Sequence, residues 1–174
     1  MDCGIFYGST TGNTASIAQG MQKRLEPAMD VHVYDVANLD SDEELKMHDL
    51  LIFGASTWGE GDLQDDWSHY LGVVSGINLD GKIVAIFGLG DQEGYSDCFV
   101  DGMKVLYDFA IQSGAQVIGF WDSDDYSFDS SEALIDGKFV GLVIDEDNQS
   151  DLSENRLDTW CSNLVDSIHS NLEA

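Results

Sequence analysis

Basic residues are scarce in this chain. Its 174 residues include 33 Asp and Glu against 7 Lys and Arg, a formal net charge of -26. Phosphate backbones and anionic lipid surfaces repel such a chain, which argues against nucleic-acid partners and charge-driven membrane attachment. The acidity itself has two open readings, solubility (as in a salty habitat) or recognition of basic partners. The carboxylates are spread along the chain, so composition does not separate the two. Proline occurs once, at Pro27. The 3 cysteines, Cys3, Cys98 and Cys161, are odd in number and lack metal-ligand spacing. Such a count suits a reducing cytoplasm better than a disulfide framework. No apolar run is long enough to span a bilayer and no basic-then-apolar leader opens the chain, so a cytoplasmic protein without membrane insertion is expected. There is no internal repeat, linker or low-complexity segment.

What is present points to a folded α/β chain. Hydrophobic residues make up 43% of it, with 8 Phe, 6 Tyr and 4 Trp, enough for one domain with a real core. Apolar runs rich in β-branched and aromatic residues fall at 3–7, 31–36, 50–55, 83–88, 116–121 and 139–144. Helical patterns fit 13–26, 64–75, 99–113 and 154–171. The last carries Leu157, Trp160, Cys161, Leu164 and Ile168 on one face, at the spacing of an amphipathic helix. Pro27 helps close the first helix. Strands alternating with helices predict a parallel sheet covered on both faces.

In such a sheet, ligands sit beyond the carboxyl ends of the strands. The first loop there is "GSTTGNT", residues 8–14. It lacks the lysine and the glycine spacing of a nucleoside-triphosphate loop, and the Rossmann glycine spacing too. Free N–H groups at a helix start, ringed by Ser9, Thr10, Thr11 and Thr14, suit a single phosphate held by neutral donors. Ordinary Ser/Thr capping is the plainer alternative, although it needs only one such residue. The second loop, "ASTWGEGDLQDDW" at 55–67, puts Trp58 just past a strand, after Ser56 and Thr57. The third, "GLGDQEGYSDCF" at 88–99, carries Leu89, Gly90, Asp91 and Tyr95. Either aromatic alone fits a packed loop residue. Together, beside a phosphate cradle, they fit a planar ring held by stacking.

At this point the sequence resembles the flavodoxins, over essentially its whole length. The motifs are "FYGSTTGNT", "TWGEGDLQDDW", "FGLGDQEGY" and "GKFVGLVIDEDNQSDL". The resemblance is to the long-chain class, whose fifth strand is interrupted by an excursion. It implies one FMN-binding domain over 1–174, with the excursion at about 122–138. It also implies an open, doubly wound sheet of five parallel strands ordered 2-1-3-4-5, with helices on both faces. Carried over by position, Ser9, Thr10, Thr11, Gly12, Asn13 and Thr14 hold the FMN phosphate. Trp58 and Tyr95 flank the isoalloxazine, with Ser56, Thr57 and Leu89 beside them. Gly59 and Gly61 shape the loop near N5, and Gly90 and Asp91 meet the pyrimidine end. Asp147 is placed near the ribityl or phosphate end. Cys98 stands where long-chain relatives often carry Asn, and Asp125 where a glycine is common.

The implied function is that of a low-potential one-electron carrier, not an enzyme, cycling between the semiquinone and hydroquinone of FMN. Glu60, Asp62, Asp65 and Asp66 would disfavour a reduced, anionic ring. The implied partners are basic redox proteins: an NADP-linked flavodoxin/ferredoxin reductase, photosystem I or a nitrogenase reductase. A monomer is expected. A flavin-dependent quinone reductase is the alternative, and needs a substrate pocket over the ring. A response-regulator receiver needs aspartates at the ends of the first and third strands, where this chain has Gly8-Ser9 and Ala55-Ser56. A regulatory interaction module would be indifferent to FMN.

Overall fold

Apolar residues at successive rather than alternate positions, as in Leu50-Leu51-Ile52-Phe53, must be covered on both faces. A computed structural model describes residues 1–173 and shows how this is achieved. In chain order the elements are β1 (Asp2–Tyr7), α1 (Asn13–Leu25), β2 (Asp30–Asp35), α2 (Glu43–Met47), β3 (Leu50–Trp58), β4 (Asp62–Leu63) and α3 (Asp65–Val73). They continue with β5 (Ile83–Leu89), α4 (Gly102–Gln112), β6 (Gln116–Ile118), β7 (Trp121–Asp122), β8 (Leu134–Ile135), β9 (Lys138–Phe139), β10 (Leu142–Ile144) and α5 (Ser153–Glu173).

The main sheet runs β2-β1-β3-β5 in parallel, and its fifth position is divided between two segments. Along one edge of β5, Ile83–Ala85 pair with Gln116–Ile118 of β6, and Phe87–Leu89 pair with Leu142–Ile144 of β10. This is the 2-1-3-4-5 order, with the fifth strand split. β4 folds back antiparallel on the end of β3. β7, β9 and β8 form a separate small antiparallel sheet between the two halves of the fifth strand.

Strand alternation feeds two cores. Leu51, Phe53 and Ala55 of β3 join Trp67, Phe99, Met103 and Leu106 on one face. Leu50 and Ile52 join Ile17, Met21, Leu157 and Trp160, from α1 and α5, on the other. Burying one such side chain contributes roughly 1.5–3 kcal/mol, so a run apolar on both faces fixes the strand at the sheet's centre.

Two strand signals overran. The run read as 116–121 ends at Ile118, because Gly119 turns the chain at φ 84 and its carbonyl accepts from Trp160 Nε1 at 2.8 Å. The run read as 139–144 starts its sheet pairing only at Leu142, since Phe139 belongs to the small sheet. The helix read from 99 begins at Gly102, after a turn in which Val100 has φ 51.

Candidate functional site

The carboxyl ends of β1, β3, β5 and β10 converge on one open cavity of about 260 Å³. The first loop supplies Thr11, Asn13 and Thr14 to it, and β3 supplies Ser56, Thr57 and Trp58. The third loop supplies Leu89, Gly90, Asp91 and Tyr95, and the segment after β10 supplies Glu146 and Asp147. No Lys, Arg or His is among these residues. Ser9, Thr10, Gly12, Gly59, Gly61 and Cys98 do not line it; Thr10, Gly12 and Gly59 are exposed and Cys98 is buried.

The start of α1 answers the question of capping. Its cap position is Gly12, at φ 93, and no side chain caps the helix. Glycine fits this left-handed conformation without the strain a Cβ brings. Ser9 Oγ accepts the Gly12 N–H at 3.1 Å, and Thr10 Oγ1 accepts from Gln64 Nε2 at 3.3 Å. Thr11 and Thr14 are left facing the cavity beside the first, unbonded N–H groups of the helix, with no acidic residue in its first turn. Such an end attracts an anion.

The second loop is held by two tight glycine turns. Gly59 and Gly61 take φ 53 and 101, and a Cβ on Gly61 would meet Asp101 Oδ2 at 2.9 Å. Trp58 is 41% exposed and its Nε1 donates to Ser56 Oγ at 2.7 Å. Thr57 Oγ1 accepts the Gly102 N–H at 2.9 Å, tying this loop to the start of α4. Cys98 is buried with its Sγ 4.0 Å from the Gly59 carbonyl. Burial pushes its thiol pKa up, and Asp97 and Asp101 add to the shift. It therefore stays a neutral, weak donor.

The third wall rests on residues that sequence reasoning did not single out. Asp145 is fully buried. Its Oδ2 accepts from the Gln92 N–H at 3.1 Å and Gln92 Nε2 at 2.6 Å, and its Oδ1 from the Asp147 and Asn148 N–H groups at 3.1 and 3.0 Å. Gln92 Oε1 in turn accepts the Ser127 N–H at 2.7 Å, reaching the excursion. Gln64, 1% exposed, accepts the Trp67 N–H and donates to Thr10 and Asp66, so it joins the first two loops. The one available signal was position: Asp145 directly follows an apolar strand.

Charge within the wall is negative. The Gly94 N–H, then the Asn148 amide, lower the pKa of Asp91. Burial, then the nearby Asp91, Asp145 and Glu146, raises that of Asp147. The chain thus offers neutral donors at one end of the cavity, aromatics along it and carboxylates around it.

Sheet order, split fifth strand and cavity position together define a doubly wound α/β protein of the flavodoxin-like class. Comparison with known proteins gives the family. The flavodoxin family profile matches residues 5–160. A flavodoxin of Synechococcus elongatus is 44% identical over 161 residues, covering 92% of this chain and 94% of the relative. One from Haemophilus influenzae is 41% identical over 166 residues, covering 95% and 94%. Among solved structures, a Fusobacterium nucleatum flavodoxin bound to flavin mononucleotide aligns with a TM-score of 0.89 at 30% identity, over 95% of this chain and 98% of that one. The chain belongs to the flavodoxin family.

Proposed function

We propose that this chain is a single-domain FMN-binding electron carrier that exchanges one electron at a time at low potential. The observation that carries the reading is the uncapped start of α1, with Thr11 and Thr14 facing a cavity lined by Trp58 and Tyr95 and by no basic side chain. A phosphate fits the free N–H groups and hydroxyls, and a planar ring fits between the aromatics. The flavin, when bound, supplies the redox chemistry; the protein supplies position and field.

The residues assigned to that cofactor are those of the three loops. Thr11, Asn13 and Thr14 meet the phosphate directly, and Ser9, Thr10 and Gly12 shape its loop. Ser56, Thr57, Trp58, Leu89, Gly90, Asp91 and Tyr95 border the ring, with Gly59, Gly61 and Cys98 behind its edge. Asp147 lies on the side of the ribityl chain. Each carboxylate about 10 Å from an added negative charge opposes it by about 0.4 kcal/mol at ε ≈ 80 and about 1.7 at ε ≈ 20. Four such groups amount to about 1.6–6.8 kcal/mol, or roughly 70–290 mV on a one-electron couple. The charge penalty falls mainly on the second electron. The carrier therefore works between its singly and fully reduced forms.

Partners are read as basic redox proteins in the cytoplasm, an NADP-linked reductase first, then photosystem I or a nitrogenase reductase. Two aromatics on the cavity leave electron exchange at its rim rather than a substrate pocket over the ring. A redox titration of the purified, yellow protein tests this: two separated one-electron steps are expected, with no sustained NADPH-to-quinone turnover. A single two-electron step would sink the reading.

A further inference from the structure

At the opposite pole of the sheet from the cavity, where β1 and β2 begin, lies a side-chain cluster that the proposed flavin site does not use. Asp2 pairs in register with Asp30, and Gly4 with His32. Alternation puts Asp2 and Gly4 on one face of the sheet, together with Asp30, His32 and Tyr34. Gly4 has no side chain, and a Cβ there would come within 2.5 Å of His48 Cδ2. His48 fills that space and is 1% exposed. Its Nδ1 lies 2.6 Å from Asp2 Oδ1 and its Nε2 2.7 Å from the Tyr34 hydroxyl. Both ring nitrogens are therefore occupied, and His48 acts as a brace for Asp2. The His32 ring lies beside it, with centroids 5.3 Å apart.

His32 Nε2 stands 3.3 Å from Asp30 Oδ2, and one ligand atom each from Asp2, Asp30 and His32 lies within 4.8 Å of the others. Two ligand atoms on an ion with bonds of about 2.0–2.2 Å stand roughly 2.9–3.5 Å apart at tetrahedral to octahedral angles. The His32–Asp30 pair already has that spacing, and Asp2, held by His48, offers a carboxylate oxygen within 4.8 Å of both. Among the described residues, neither Asp2 nor Asp30 pairs with Lys or Arg. Two carboxylates thus lie side by side with imidazole alone as partner.

We propose that Asp2, Asp30 and His32 form a binding site for one divalent transition-metal ion of the zinc type, with water completing its shell and His48 orienting Asp2. Imidazole beside carboxylates suits Zn²⁺, Ni²⁺ or Cu²⁺, whereas all-oxygen sets suit Mg²⁺ and Ca²⁺. A hydrogen-bonded carboxylate ligand with a buried partner is the usual outer arrangement of such sites. The field of a chain at -26 raises the local cation concentration further.

The test is calorimetric titration of the protein as purified with Zn²⁺, in excess Mg²⁺ to fill diffuse acidic sites. One Zn²⁺ per chain is expected. His32→Gln and Asp30→Asn, both on the edge strand β2, should each weaken binding about 10-fold or more. His169→Gln, exposed on α5, should leave it unchanged. Circular dichroism confirms that the variants are folded. Absence of saturable 1:1 binding, or equal affinity of His32→Gln and wild type, overturns the proposal.

Discussion

Thr11 and Thr14 are the residues whose chemistry is most directly readable. Both residues line the cavity, and valine keeps the shape of threonine while removing its hydroxyl. Hydrogen bonds to a charged group contribute about 1.5–3 kcal/mol each. Thr11→Val/Thr14→Val should therefore weaken FMN by tenfold or more and riboflavin much less, as measured by fluorescence titration. Equal losses for both ligands would exclude this loop as the phosphate site. Trp58→Ala and Tyr95→Ala should each weaken FMN, since aromatic contacts contribute about 0.5–1.5 kcal/mol beyond buried area. Flavin fluorescence should partly return in both; unchanged affinity and emission would rule out stacking. Gly59 has φ 53, and a Cβ there would stand 3.1 Å from Asp62 Oδ2. Gly59→Val should remove the freedom of this peptide to reorient toward the ring edge, bringing the two one-electron potentials together. Potentials as widely separated as in wild type would make Gly59 a loop residue only.

Between elements, the cavity depends on a buried tie. Asp145 holds the loops after β5 and β10 together, and Gln92 passes the connection to Ser127. Asp145→Asn keeps the size but turns an amide toward N–H groups that need an acceptor. Leaving buried donors unpaired costs about 1–3 kcal/mol. The urea midpoint of the flavin-free chain should fall and FMN affinity should drop with it; an unmoved midpoint would show that the loops are held otherwise. This tie was not legible in the sequence, whereas Thr11, Trp58 and Tyr95 were. Those three stand in short motifs at strand ends, but Gln92 and Asp145 meet across 53 residues. The same contrast holds for the fold. β1, β3, β5 and α5 announced themselves by apolar runs or helical periodicity. The two-residue strands β4, β7, β8 and β9 and the five-residue α2 are too short to carry a period. β4 exists because the second loop folds back on β3, and β7, β8 and β9 because the excursion pairs with itself.

For the whole molecule, charge dominates. No helix among the described residues is long and apolar enough to cross a membrane, and the net charge is -26. Glu60, Asp62 and Asp65 are exposed next to Trp58, while Asp66 is partly taken up by the Gln64 amide at 2.7 Å. A basic reductase should be steered to this rim, at rates that fall as the Debye length shrinks from about 10 Å at 0.1 M to about 3 Å at 1 M salt. Stopped-flow kinetics should show a less steep salt dependence for Glu60→Gln/Asp62→Asn/Asp65→Asn than for wild type. Identical slopes would assign the acidity to solubility or salt adaptation. The divided fifth strand bears on how the molecule is made. On the ribosome β6 emerges before the excursion, and it can close the edge of β5 at Ile83–Ala85 while Phe87–Leu89 still wait for β10. At about 5–20 residues per second, seconds separate the emergence of β6 from that of β10 and Asp145. During that interval two walls of the cavity stand without the third, so the cofactor has a complete seat only after β10 and the segment that follows it have joined the sheet.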